Sequence, residues 1–135
     1  MAKIVAKELA LQGHSVFFTI MDELVKKLTR EGFPDADPSF LHEIRTAEFL
    51  VIDDSFDTRK MTMYRSGYQI TFLDSFLRYR METARLSTCF TSNTPPNKIS
   101  EDFDRHIAAL VKRNTISLEF NDGIDDFQIE RLWED

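Results

Sequence analysis

Residues 48–56 read EFLVIDDSF, and four apolar residues, Phe49, Leu50, Val51 and Ile52, run directly into two adjacent aspartates. The four do not alternate with polar residues, and β-branched and aromatic side chains dominate. That pattern describes a strand buried on both faces, as in a parallel sheet covered by helices. Two neighbouring negative charges at the end of such a strand are costly unless something positive lies beside them. A divalent cation is the usual partner. The structural alternative is that Asp53-Asp54 simply ends the strand in a turn.

Working outward, the flanking segments alternate between helical and strand-like patterns. AKIVAKELALQG (2–13) is a helix with Val5 and Leu9 on one face and Gly13 as its stop. HSVFFTI (14–20) is a short apolar strand. MDELVKKLTREG (21–32) sets Leu24, Val25 and Leu28 against Lys26, Lys27 and Arg30 on the other side. A polar turn follows, then a short helix from Pro38 to about Thr46. The spacing of Ile70, Leu73, Leu77 and Met81 predicts a long helix over 65–84, its stripe widened by Phe72 and Phe76. STCFTSN (87–93) reads as a second buried strand, 98–112 as a helix, and TISLEF (115–120) as an alternating strand. Residues 121–135 form an acidic tail with a weak helical pattern. Strands separated by helices imply an α/β fold with a parallel, helix-covered sheet.

Composition is consistent with one domain. The chain has 135 residues, 42% hydrophobic, with twelve phenylalanines, enough to build a core. Its net charge of -6 argues against a generally basic nucleic-acid surface. A single cysteine, Cys89, forms no internal disulfide and fits a reducing compartment. No apolar run approaches the roughly 18 residues of a membrane span, so a cytoplasmic protein is expected. His14, His42 and His106 share no metal-ligand spacing. Cys89 reads as a core residue.

In parallel α/β sheets, ligands bind beyond the carboxyl ends of the strands. Two segments here end there in suitable groups, Asp53-Asp54 and Ser92-Asn93. One carboxylate can hold Mg²⁺ beside a nucleotide phosphate, a second acid can orient an attacking water, and an amide can hold that water or the γ-phosphate. Asn93 as a simple cap before Pro95 is the structural alternative.

These residues carry a resemblance. LVIDDSF resembles the Walker B segment of AAA+ ATPases. FLRYRMETARLSTCFTSN is similar to the helix, strand and sensor 1 segment of bacterial helicase loaders of the DnaC/DnaI type and of their transposition relatives of the IstB type. AKIVAKELALQGHSVFFTIMDELVKKL resembles the helix after the phosphate loop with the strand and helix that follow it. The similarity spans about residues 2–120. It implies an AAA+ module with ATP and Mg²⁺ as cofactors, Asp53 on the metal side, Asp54 as hydrolytic acid and Asn93 as sensor 1. It further implies loading of a ring-shaped replicative helicase on single-stranded DNA, with homo-oligomers forming when nucleotide is bound. A non-catalytic interaction module and an IstB-type transposition partner are the alternatives.

The sequence departs from that family in two places. The phosphate-binding loop GxxxxGK[ST] should precede the first helix, where only MAKIVAKE stands, so the domain reads as N-terminally incomplete, lacking its first strand and phosphate loop. Without that central strand, TCFTSN and ISLEF are left lacking a shared neighbour. A strand from elsewhere, direct pairing of the two, or association between chains would answer the gap. The arginine finger expected in the helix before the last strand falls near Leu110; Arg113 lies one turn later, and Arg105 earlier in the same helix. Arg113 is the candidate, with a solvated helix-end charge as its alternative. Lys26, Lys27 and Arg30 lie on the helix that in the loaders is near single-stranded DNA, and phosphate contact would use them. Arg59, Lys60 and Arg65 flank an irregular loop beyond the aspartates.

Overall fold

A computed structural model of the protein describes residues 1–31, 38–57 and 68–119. Its centre is a three-stranded parallel sheet, β1 (Val16–Ile20), β2 (Phe49–Asp53) and β3 (Ser87–Phe90), in the order β1-β2-β3. The helices are α1 (Ala2–Leu11), α2 (Met21–Glu31), α3 (Pro38–Thr46), α4 (Tyr68–Arg78), α5 (Ile99–Asp102) and α6 (Arg105–Asn114). The expected α/β fold with helix-covered parallel strands is the one observed.

The apolar run in β2 follows from its central position. Phe17 lies opposite Leu50 on one side and Thr88 opposite Leu50 on the other. Phe49 N–H donates to Ser15 O at 3.1 Å, while Thr91 N–H donates to Ile52 O at 3.0 Å. Alternate residues of β2 therefore bond to opposite neighbours. Leu50 and Ile52 are fully buried in the main core with Leu24, Ile44, Leu73, Leu77, Ile107 and Leu110, contributed by α2, α3, α4 and α6. Val51 is equally buried on the opposite face, and α1 packs across β1 and β2. With neighbours on both edges and helices on both faces, the middle of β2, Leu50 to Ile52, has no position where a polar side chain would reach water.

Local sequence sets the ends of several elements. Gly13 takes φ +93°, the left-handed conformation that glycine adopts without a Cβ clash. Its N–H donates to Ala10 O at 3.1 Å and that of His14 to Leu9 O at 3.2 Å, closing α1. His14 then meets Glu48 at 2.8 Å and lies edge-on to Phe49, tying together the starts of β1 and β2.

Four details differ from the sequence expectation. The long helix, described from Tyr68, widens into a π-turn at Tyr79–Thr83, where Ala84 N–H reaches Tyr79 O at 2.8 Å. The turn places Arg80 in the interior with no exposed surface. The guanidinium donates to Ile44 O (3.0 Å), Ala47 O (2.7 Å), Ser87 O (2.9 Å) and Thr88 Oγ1 (3.1 Å). One side chain thus holds the C-terminal end of α3 against the start of β3. β3 stops at Phe90 instead of running to 93, because the chain turns there to clasp the loop after β2. The helix expected over 98–112 breaks at Phe103 and Asp104. Phe103 turns into the core against Phe56, and Asp104 caps a new helix by accepting from Ile107 N–H at 2.9 Å.

The fourth difference is the expected strand 115–120. Residues 115–119 form no strand, and Ile116 is 93% and Leu118 54% exposed. A strand requires a neighbour, and the edge of β3 lies across a cleft of about 860 Å³ that residues of both segments line. Among the described residues the two segments therefore do not pair directly. Phe120, the acidic tail 121–135 and the loop bearing Arg59, Lys60 and Arg65 lie outside the described residues.

Candidate active site

Asp53 and Asp54 leave the carboxyl end of β2 beside the segment Thr91–Thr94 that leaves β3. The register Ile52↔Phe90 puts Asp53 level with Thr91, and the Thr91 hydroxyl donates to Asp53 Oδ1. The same Oγ1 accepts from Asp54 N–H at 3.2 Å. Ser55 N–H donates to Thr91 O at 2.7 Å, and Ser55 Oγ, buried, donates to Ile52 O at 3.0 Å. Thr94 Oγ1 donates to Phe56 O at 2.7 Å, and Phe56 N–H points at the Met21 sulfur at 3.3 Å. Hydroxyl groups from one strand end thus clasp the turn that follows the other.

That turn is strained. Asp54 has φ 52° and Phe56 φ 61°, the left-handed region that costs a residue with a Cβ about 1–2 kcal/mol. The clasp and the burial of the Phe56 ring between Phe90 and Phe103 hold it. Left-handed residues without glycine persist where the surroundings over-determine them, and here they fix the backbone from which the two carboxylates project.

Asp53 is half-buried and Asp54 exposed, as is Asn93. Asn93 makes no side-chain hydrogen bond to another described residue, so its amide is available to a ligand. No group of three or more His, Cys, Asp or Glu side chains able to enclose a metal occurs among the described residues. Asp53 is one carboxylate that could ligate a cation, with water and phosphate oxygens filling the rest of the shell.

Arg113 lies elsewhere. It pairs with Glu82 at 2.7 Å at the end of α6, near the start of β3 and so at the opposite end of the sheet from Asp53. Asn114 adds a bond to Glu82 at 3.1 Å, and these partners hold the Glu82 carboxyl below the ordinary glutamate range. Arg105 opens α6 and is exposed. Lys26 is 62% exposed and reaches Asp22 at 3.1 Å within α2, and Lys27 lies 4.6 Å from the centre of the Phe40 ring. Arg30 belongs to α2, but its side chain lies outside the described residues. Burial pushes the Cys89 thiol up; the side chain is half-buried and lines the cleft beside β3, outside the buried core where the sequence reading put it.

Thr91 is the site residue that sequence reading missed. The run TSN contains it, yet its role depends on the register between β2 and β3, which no periodicity within either strand encodes.

No protein-family profile and no curated protein matches the chain. Solved structures do. AMPPCP-bound DnaA from Aquifex aeolicus superposes on 98% of the chain with a TM-score of 0.67 at 14% identity. The crystal structure of a DNA replication initiation factor covers 95% of it with a TM-score of 0.63 at 10% identity. The chain spans 40% and 37% of those two chains respectively. At such identities the likeness is one of fold alone.

Proposed function

We propose that this chain is the α/β part of an AAA+ ATPase acting in DNA replication, most like the helicase loaders. The observation that carries the reading is the clasp between the ends of β2 and β3, which holds Asp53, Asp54 and Asn93 beyond the carboxyl ends of adjacent parallel strands. Asp53 would hold Mg²⁺ on its carboxylate, Asp54 would accept a hydrogen bond from the attacking water, and Asn93 would donate to that water or to the γ-phosphate. Mg²⁺ would supply charge neutralisation at the phosphates. The loop that grips those phosphates is not encoded within these 135 residues, so the reading requires it from polypeptide beyond them. Arg113, released from Glu82, would reach the nucleotide of a neighbouring subunit in an oligomer. Lys26, Lys27 and Arg30 would meet the phosphates of single-stranded DNA, and a ring helicase would be the protein partner in the cytoplasm.

The test compares the chain alone with the chain extended by its upstream coding sequence. Alone it binds Mg-ATP weakly and shows no turnover. Extended, it hydrolyses ATP; Asp53→Ala weakens Mg²⁺-dependent binding, while Asp54→Asn and Asn93→Ala leave binding nearly intact and slow single-turnover hydrolysis. An unchanged hydrolysis rate in folded Asp54→Asn would end the catalytic reading.

A further inference from the structure

Every polar group of Thr91 is directed at the end of β2. Its N–H donates to Ile52 O at 3.0 Å, its carbonyl accepts from Ser55 N–H at 2.7 Å, and its hydroxyl lies between Asp53 and Asp54. With the backbone held on both sides and a β-branched side chain restricted at χ1, the position of Oγ1 is fixed. The direction of its hydrogen is fixed as well. The N–H of Asp54, 3.2 Å away, can only donate, so Oγ1 turns a lone pair to it and sends its single hydrogen to Asp53 Oδ1. Asp53 is half-buried, and its Oδ2 has no hydrogen-bond partner among the described residues. One oxygen of that carboxylate is therefore occupied and the other open.

Resting on the reading of Asp53 as the metal-side acid, we propose that Thr91 is a positioning residue that makes Asp53 a one-oxygen ligand and thereby sets the preference of the site for Mg²⁺ over Ca²⁺. Mg²⁺ demands near-octahedral geometry and keeps several waters, whereas Ca²⁺ has a larger, flexible shell that accepts both oxygens of one carboxylate. Chelation through both oxygens places the cation at Oδ1 in competition with the Thr91 hydroxyl hydrogen. A hydrogen bond to an ionised acceptor is among the stronger ones, so that competition is costly. Ca²⁺ is thus denied a second oxygen at Asp53, while a cation that takes one oxygen is unaffected. The same Oγ1 accepts from Asp54 N–H, so one atom sets the side chain of the first carboxylate and the backbone of the second. Removing the hydroxyl frees the Asp53 carboxylate to rotate and to chelate.

The experiment uses the chain alone and the chain extended by its upstream coding sequence. In the chain alone, side-chain scalar couplings measured by NMR report Asp53: a single χ1 rotamer in the wild type, averaged rotamers in Thr91→Val, and a single rotamer again in Thr91→Ser. In the extended chain, binding of a fluorescent ATP analogue is titrated with Mg²⁺ or with Ca²⁺. The wild type needs more Ca²⁺ than Mg²⁺ for half-saturation. Thr91→Val narrows that ratio at least about tenfold, the size of one hydrogen bond to a charged group, and Thr91→Ser restores it. A general loosening of the turn weakens both cations alike and leaves their ratio unchanged, so the ratio separates positioning from stability. An unchanged ratio in Thr91→Val, where the wild type binds Mg-nucleotide, overturns the proposal and leaves the ATPase reading standing. Nucleotide binding by the extended wild type that needs neither cation, or no binding at all, overturns both. A freely averaging Asp53 side chain in the wild-type chain overturns the positioning role without any variant having to fold.

Discussion

Replacing Arg80 should unfold the joint between α3 and β3. Its guanidinium has no exposed surface and serves four acceptors, three of them backbone carbonyls. Burial lowers its pKa to about 10, so it remains charged at neutral pH. Arg80→Met keeps the aliphatic stem and leaves those carbonyls without their donor. Each buried group left unsatisfied costs about 1–3 kcal/mol, and relief of the cation's own desolvation offsets part of the total. A net loss of about 3–5 kcal/mol is expected, a large share of the 5–15 kcal/mol (order of magnitude) that holds a domain of this size. With an unfolding entropy of about 2.1 cal/mol/K per residue, the melting temperature should fall by about 10–18 °C. Arg80→Lys should lose roughly half as much, because an ammonium cannot span all four acceptors. Urea unfolding followed by far-UV circular dichroism measures the change. Arg78→Met serves as control, since Arg78 is 43% exposed and its pairs with Asp74 and Glu82 contribute at most about 1 kcal/mol. A loss below about 1 kcal/mol in Arg80→Met would show that water or backbone movement satisfies the carbonyls and would refute the reasoning.

Thr91→Val should keep the fold within about 2 kcal/mol yet disorder the Asp53 and Asp54 turn, visible as broadened amide signals at 53–56, and Thr91→Ser should restore it; unchanged signals in Thr91→Val would remove the clasp from the account. Because Arg113 and Asn114 hold the folded-state pKa of Glu82 below its unfolded value, their contribution is present above the ordinary glutamate range and disappears as pH falls through the lowered value. Glu82→Gln should therefore flatten the acid limb of the stability profile while changing its neutral-pH shape little, and an identical acid limb in the two proteins would contradict the pairing. Asp104→Ala removes the cap of α6 and should cost about 1 kcal/mol by urea unfolding, with Asp104→Ser recovering most of it.

The sequence by itself located the three strands of the sheet and the burial of β2 on both faces. The uninterrupted FLVI of β2 required neighbours on both edges and helices on both faces, and the alternation of helical and strand-like segments required parallel pairing. Gly13 marked the end of α1 because only a left-handed residue closes a helix in that way. The pair Asp53-Asp54 at the end of β2 was legible as a candidate site, with a strand-ending turn as the alternative reading. These readings rest on interactions within a few residues of one another.

Tertiary structure decided what depends on register and on the presence of neighbours. The Thr91 clasp needed β2 and β3 to align at Asp53, and Arg80 became a buried cation only because a π-turn aimed it at carbonyls from α3 and β3. The break at Phe103 was decided by the core, which took that ring and left Asp104 to start the next helix. TISLEF has the alternation of a strand, yet residues 115–119 remain outside the sheet. Alternation specifies which faces a strand would bury, while hydrogen bonding to an adjacent strand decides whether it forms, and across the cleft from β3 that adjacent strand is missing among the described residues.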